Sequence, residues 1–282
     1  MNILILGSSG QVGAYLTEYL RKKGHDVIEF DKNRHPGEDL TQIPNHNLDR
    51  AIKNSDFVFF LAFDVGGSRY LKKYQHTFRF IDNNSRLMTQ TFGLLEQYKK
   101  PFVFASSQMS QMSYSPYGVM KRMGELYTES LNGLIVKFWN VYGIETDMDK
   151  AHVITDFIKK GFETGTIDML TDGTEQREFL YAEDCCEALE AVMENYDTFT
   201  SFDPLHITSF VSTDILGIGS IIKDLFAKDG KEVQVVPAAS KDEVQKDARN
   251  VPDETIKKIW SPKTSIEDGI EKVYNDMKPH YG

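Results

Sequence analysis

Asn2-Ile3-Leu4-Ile5-Leu6-Gly7-Ser8-Ser9-Gly10-Gln11-Val12-Gly13 is the stretch on which the fold turns. Asn2 to Leu6 is a short apolar run, the pattern of a strand buried on both faces of a parallel sheet. Glycines then stand at the first, fourth and seventh places, Gly7, Gly10 and Gly13. A glycine triplet alone is weak evidence. Between a strand and a helix it allows a tight turn, close approach of backbone to a pyrophosphate, and close packing of helix on strand. The helix that opens there offers phosphate its free N–H groups and the positive end of its dipole. Gly7, Gly10, Gln11, Val12 and Gly13 are therefore candidate dinucleotide-binding residues. The alternative is a glycine-rich turn that holds no ligand.

Working outward, Gly10 to Lys23 carries Val12, Leu16, Tyr19 and Leu20 at helical spacing, and Gly24 suits a C-cap. Val27 to Phe30 reads as a second strand and ends at Asp31. A carboxylate there accepts hydrogen bonds from both ribose hydroxyls and repels a 2′-phosphate, which favours NAD over NADP. Lys32 and Arg34 lie beside it and keep NADP as the alternative. Asp39 and Leu40 are placed at the adenine, an ordinary turn being the other reading. Residues 56–62 (DFVFFLA) form a third strand, with Leu61 and Ala62 at its cofactor end. Helix over 84–99, strand over 102–105, helix over 117–130 and strand over 134–138 follow. The alternation predicts an α/β fold, a doubly wound parallel Rossmann sheet. We expect a cofactor domain over 1–143 and a smaller α/β substrate lobe over 144–282. Within the second part, about 175–200 is expected to return to the central sheet.

Bulk properties narrow the function. The 282 residues carry a net charge of −10, which disfavours nucleic-acid backbones and anionic lipid surfaces as partners. No run approaches the ~18 apolar residues of a membrane helix, and the N-terminus lacks the basic region of a signal peptide. The only cysteines, Cys185 and Cys186, are adjacent, which suits a packed helix rather than a disulfide framework or zinc site. A cytoplasmic protein without a metal is the expectation.

Tyr117 and Lys121 are four apart, so on a helix they share a face. A cation beside a phenol is expected to lower its pKa from ~10. Such a tyrosine exchanges a proton with a carbon-bound hydroxyl while hydride moves to or from nicotinamide. Lys121 also suits the cofactor ribose, and Ser107, at the end of the preceding strand, suits the same substrate oxygen. Taken alone, a Tyr and Lys four apart is commonplace; its place downstream of the glycine turn and a strand ending in Ser106-Ser107 gives it weight.

With these residues in view, the chain resembles the extended short-chain dehydrogenase/reductases that modify nucleotide-sugars. The resemblance spans nearly the whole sequence. It rests on GSSGQVG from Gly7, FASS from Phe104, YGVMK from Tyr117, FWNVYG from Phe138, GTEQREFLYAED from Gly173 and WSPKTSIEDGI from Trp260. It implies catalysis by Ser107, Tyr117 and Lys121, and nucleotide-diphosphate contacts from Asn140 and Arg177. Asp64-Val65-Gly66-Gly67-Ser68 resembles the loop that lies against the sugar in GDP-mannose 3,5-epimerases and GDP-fucose synthases. That likeness implies substrate contacts from Gly66, Gly67 and Ser68. His152-Val153-Ile154 resembles a fucose-synthase segment, which implies proton exchange by His152 and a substrate contact from Val153. Family practice also implies a homodimer built on two helices.

Departures from the family pattern guide the choice of reaction. Gln108 and Met109 stand where the 4,6-dehydratases carry an acid pair, and Met109 stands at or near the cysteine base of the 3,5-epimerases. Neither an amide nor a thioether exchanges protons there. Hydride chemistry at C4 remains: a 4-epimerase or 4-dehydrogenase, with a nucleotide-4-keto-sugar reductase as the alternative. A non-catalytic dinucleotide sensor is a further alternative, disfavoured because Tyr117 and Lys121 are both kept. Ser107 and Tyr117 are closer in sequence than the family usually has them, so either another segment, such as 109–115, or a partner subunit walls the site, or the substrate is bulkier than usual. Lys137 replaces a common arginine.

Overall fold

The computed structural model describes residues 1–145, 147–245 and 250–281. Its first elements are β1 (Asn2–Leu6), α1 (Gln11–Lys22), β2 (Asp26–Phe30), α2 (His46–Asn54) and β3 (Phe57–Phe60). Next come α3 (Ser68–Tyr74), α4 (Phe78–Tyr98), β4 (Phe102–Ser107), α5 (Pro116–Ser130), β5 (Leu134–Phe138) and β6 (Asn140–Tyr142). The rest comprises α6 (Val153–Thr164), β7 (Thr166–Asp168), β8 (Gln176–Tyr181), α7 (Ala182–Glu194), β9 (Leu205–Ile207), β10 (Ser212–Asp214), α8 (Ile215–Lys228), β11 (Gln234–Val236) and α9 (Ile266–Met277).

Six strands form the central sheet in the order β2-β1-β3-β4-β5-β9, with every pairing parallel. The chain leaves β1 in one direction for β2 and crosses back past it to β3. The glycine turn therefore sits at a topological switch point, where ligands of such sheets bind. The fullest dinucleotide-binding order has one more strand beyond β2. Here Pro36–Glu38 make a single 3-10 turn in its place.

Period-two alternation divides the core between the two faces of this sheet. Ile3, Ile5, Phe57, Phe59, Val103 and Val136 face Leu16 and Leu20 of α1, and Cys185, Cys186, Leu189 and Val192 of α7. Leu4, Leu6, Val58, Phe60, Phe102 and Phe104 face α2, α4 and α5 through residues such as Ile52, Phe92 and Met120. Both cysteines are buried free thiols, and burial pushes their pKa values up.

The second layer is built differently from expectation over 175–200. β8 does not join the central sheet; it pairs with β6 and β10 in a separate three-stranded sheet. The returning strand is β9, and α7 covers the central sheet's face without adding to its edge. A three-residue strand that follows a loop carries too little periodicity to be read from sequence. The lobe has its own core, where Ile154, Phe157 and Ile158 of α6 meet Ile218 and Phe226 of α8 and Ile270 and Val273 of α9. The WSPKTS segment bolts the two layers together. Asp184 accepts from Lys263 N at 3.0 Å, Thr264 N at 2.8 Å and Thr264 Oγ1 at 3.1 Å. Ser265 then caps α9 by accepting from Asp268 N at 3.1 Å.

Candidate active site

A cleft of about 330 Å³ runs from the glycine turn across the C-terminal ends of β1, β3 and β4. At one end, Gly7 has φ +88°, and a Cβ there would lie 2.8 Å from the Ala62 backbone. A Cβ on Gly13 would overlap the Gly7 carbonyl, so α1 packs on β1 only with glycine at that place. A Cβ on Gly10 would meet only Gly7 O, at 3.3 Å, and otherwise looks into open space.

Among the described residues, five α-helices have a side-chain N-cap, from Asn45, Thr77, Ser115, Asp214 and Ser265. At α1 the Gly10 N-cap offers no side-chain bond, and no acid stands in the first turn. Its leading N–H groups are left to a ligand, and the buried Ser8 Oγ beside them has no partner. This is the cradle a pyrophosphate needs, and the residues present fit a dinucleotide. Asp31 lines the cleft, held by Ser9 N at 3.1 Å and Asn33 N at 2.9 Å. Asp39, Leu40, Leu61 and Ala62 line the same end with Val12 and Gln11. Gln11 also reaches Val141 O at 3.2 Å and Gly143 N at 3.0 Å, tying the turn to β6.

At the other end, α5 lays one stripe of side chains along the last residues of β4. Ser107 Oγ accepts from Met109 N at 3.1 Å and lines the cleft together with Tyr117. Lys121 Nζ donates to Ala105 O at 2.6 Å and lies 3.8 Å from the centre of the Phe63 ring. The start of α5 is fixed by Pro116, by Ser115 accepting from Gly118 N at 3.2 Å, and by Ser115 Oγ donating to Gln75 at 2.9 Å. Ser107, Tyr117 and Lys121 thus converge on the cleft as their spacing predicts.

Their protonation does not follow the expectation. Burial pushes the Tyr117 phenol up to about 12, with the Ser107 hydrogen bond pulling weakly down. Burial also brings Lys121 down to about 7, opposed by the charge of Glu125. The ammonium is spent on the Ala105 carbonyl and the Phe63 ring rather than on the phenol. A close cation was expected to dominate; desolvation wins because both groups are nearly inaccessible, at 8% and 4% exposure.

His152 lines the cleft through an ion pair of Nδ1 with Glu145 at 2.7 Å. Burial lowers its pKa, but the Glu145 charge and hydrogen bond outweigh that and raise it overall. The loop at Gly66 and Gly67 meets the segment before α6. Gly67 N donates to Lys150 O at 2.9 Å, Lys150 Nζ lies 3.4 Å from Asp64, and a Cβ on Gly67 would stand 2.6 Å from Ala151 O. Gly66 lines the cleft; Gly67 and Ser68 lie behind it.

Asn140, Val153 and Arg177 are also outside the cleft lining. Asn140 Nδ2 donates to Glu178 O at 3.4 Å, Val153 packs on the lobe core, and Arg177 is ion-paired with Asp242. Asp242, Val244, Gln245 and Asn250 explain this and the short step from Ser107 to Tyr117. Gln245 Oε1 accepts from Gln108 Nε2 at 3.1 Å, Gln245 O accepts from the Tyr114 hydroxyl at 2.8 Å, and Asn250 Nδ2 donates to Gln108 O at 2.7 Å. Val244 packs with Met109, Met112 and Tyr117. A distant segment of the same chain therefore supplies the wall that a longer loop would build. Sequence reading also missed Phe63, Glu145 and Trp139 in the lining. Phe63 follows the third strand directly, a place that could have drawn notice; Glu145 and Trp139 carry no local signal.

A family model described as the NAD dependent epimerase/dehydratase family matches residues 3–207. The chain belongs to the NAD dependent epimerase/dehydratase family. It is an NAD-dependent enzyme of that family, of the extended short-chain dehydrogenase/reductase type. Among curated relatives, a putative UDP-glucose 4-epimerase from Methanocaldococcus jannaschii is 25% identical, over 98% of both chains. The structure of a UDP-glucose 4-epimerase from Thermotoga maritima, holding UDP-glucose, superposes with a TM-score of 0.82 at 20% identity, covering 100% of both chains. A GDP-6-OMe-4-keto-L-xylo-heptose reductase from C. jejuni superposes with a TM-score of 0.82 at 17% identity, covering 99% of this chain and 98% of that one. As a family member the chain shares the doubly wound fold of both structures. No helix among the described residues is long and apolar enough to cross a membrane.

Proposed function

We propose that the chain moves hydride at C4 of a nucleotide-sugar, as a 4-epimerase or 4-dehydrogenase. The observation that carries this reading is the convergence of Ser107 with Tyr117 and Lys121, one helical turn apart on α5, at the far end of a cleft that begins at the glycine turn. Tyr117 exchanges the proton of the C4 oxygen, Ser107 hydrogen-bonds that oxygen, and Lys121 holds the nicotinamide ribose. Bound NAD supplies the hydride acceptor and a positive charge that favours the phenolate. Gly7, Gly10 and the N-terminus of α1 hold the pyrophosphate, and Asp31 the adenosine ribose. His152 and Gly66 border the sugar. Arg177 and Asn140 reach the diphosphate only if the pairs with Asp242 and Glu178 O give way.

A 4-keto-sugar reductase is the second reading, favoured by one observation: a phenol held near 12 is a proton donor over the whole neutral range. We further propose a cytoplasmic homodimer. Val119, Met123 and Leu126 expose an apolar row on α5 beside Ile81 of α4, and the copy of this face is the occupant expected by family analogy. Incubation with NAD and a panel of UDP-, GDP- and dTDP-hexoses tests the function. A C4-epimer, or a C4-oxidised product with reduced nicotinamide, is expected. Elimination of water, or no turnover of any hexose, contradicts the reading.

A further inference from the structure

The stripe on α5 does not end at Lys121. Glu125 lies one turn further along the same face, four residues on, and is 1% exposed. Its partner on β4 is Ser106, whose Oγ donates to Glu125 Oε1 at 2.5 Å. Two consecutive β4 residues thus bind successive turns of α5: Ala105 O accepts from Lys121 and Ser106 Oγ donates to Glu125. Lys137, opposite Ser106 in the β4–β5 register, places Nζ 3.2 Å from Glu125 Oε1 and 3.2 Å from Ser110 Oγ. Arg122 closes on Oε2 at 2.9 Å. A buried carboxylate is costly unless its lone pairs are used, and here Ser106, Arg122 and Lys137 use them.

We propose that Glu125 is a positioning residue for the reaction: buried one turn beyond Lys121 on the same face of α5, it fixes the β4 end that carries Ser107 and sets the charge beside Lys121. The inference rests on the proposed roles of Tyr117 and Lys121. The groups facing this carboxylate are Lys121 and Arg122 on α5, Ser106 on β4, Ser110 after it, Lys137 on β5 and His206 on β9. Lys137 and Arg122 offset the carboxylate's charge, and His206, held near 4 by burial and by Lys137, is neutral at working pH. Lys121 is already brought down to about 7 by burial, so loss of the opposing charge leaves it neutral at neutral pH. A neutral amine binds ribose hydroxyls less firmly.

Two variants give opposite signs. Glu125→Gln removes the charge and keeps the shape. Lys137→Met removes the cation that offsets Glu125 while leaving the carboxylate Ser106 and Arg122. Protein carrying 13C at the lysine ε-carbon, free of substrate, reports the Lys121 titration directly by NMR, with Lys121→Met assigning the signal. The titration is expected to move down by about one pH unit or more in Glu125→Gln and up in Lys137→Met. The high-pH limb of kcat/KM for the hexose identified above moves in the same directions, with circular dichroism and melting showing folded protein. If Glu125→Gln does not fold, Glu125→Asp, which draws the carboxylate back from Lys121, is expected to give a smaller downward shift, and an unmoved titration there overturns the proposal. Lys121 signals that titrate unmoved in both variants overturn the proposal, even where melting temperature falls. The NMR arm needs no substrate, so its failure is separable from an error in the assigned reaction.

Discussion

A buried lysine in a folded chain costs stability unless function keeps it. Lys121 titrates near 7 when folded and near its ordinary 10.5 when unfolded. The unfolded chain therefore binds the extra proton between those values. The cost is full below pH 7, shrinks as pH rises through the interval, and is gone above 10.5. Lys121→Met is expected to stabilise the cofactor-free protein at pH 6 by about 2–4 kcal/mol, after loss of the Ala105 hydrogen bond. The gain should fade toward pH 10, while turnover is lost. Urea melts at the two pH values check this; a variant no more stable at pH 6 than at pH 10 contradicts the burial argument. At the ribose end, Asp31→Ser should weaken NAD and admit NADP, seen as a fall in the ratio of NAD to NADP affinity of roughly tenfold or more.

Legibility was greatest at this scale where chemistry and spacing coincide. The glycine turn, Asp31, and the Ser107, Tyr117 and Lys121 set could be read because each lies next to a strand end that the apolar pattern marks. The protonation states could not be read. They depend on Phe63, Ala105 and Glu125, which only folding brings to Lys121. Arg177 is the opposite case: its motif is conspicuous, yet its partner Asp242 is distant in sequence, and no local pattern announces the pair.

Among elements, junctions decide more than interiors. α7 and α9 join through Asp184, whose carboxylate accepts three hydrogen bonds from Lys263 and Thr264. Asp184→Ala should cost about 2–4 kcal/mol by leaving buried donors unmatched, measured as a lower denaturant midpoint at unchanged slope. Long periodic helices such as α1 and α5 were legible because their apolar stripes meet a sheet. α4 begins earlier than its pattern suggested, at Phe78, because that exposed ring adds no signal of a buried face. Short strands such as β9 and β10 lack enough residues to show a period, so the layering past residue 143 was legible only in outline.

At the scale of the whole molecule, the cleft is closed by parts of one chain that are far apart in sequence. The loop at Gly67 meets Lys150 and Ala151, and Gln245 and Asn250 bind Gln108 and Tyr114. The apolar row on α5 is exposed, with Leu126 at 53%. Leu126→Glu is expected to convert a dimer to a monomer in sedimentation, with NAD binding kept. A wild-type chain already monomeric at micromolar concentration contradicts the dimer.

The account stands on a phenol that trades a proton with the C4 oxygen while hydride leaves or reaches the same carbon. The most direct measurement is rapid mixing of NAD-loaded wild type and Tyr117→Phe with the nucleotide-sugar that turns over, following reduced nicotinamide. Wild type should show a transient or lasting rise, slowed by deuterium at C4. Tyr117→Phe should bind NAD as tightly yet show no rise, with turnover down by at least about a hundredfold. Full turnover by Tyr117→Phe, or a wild-type rate indifferent to deuterium at C4 in single turnover, contradicts it.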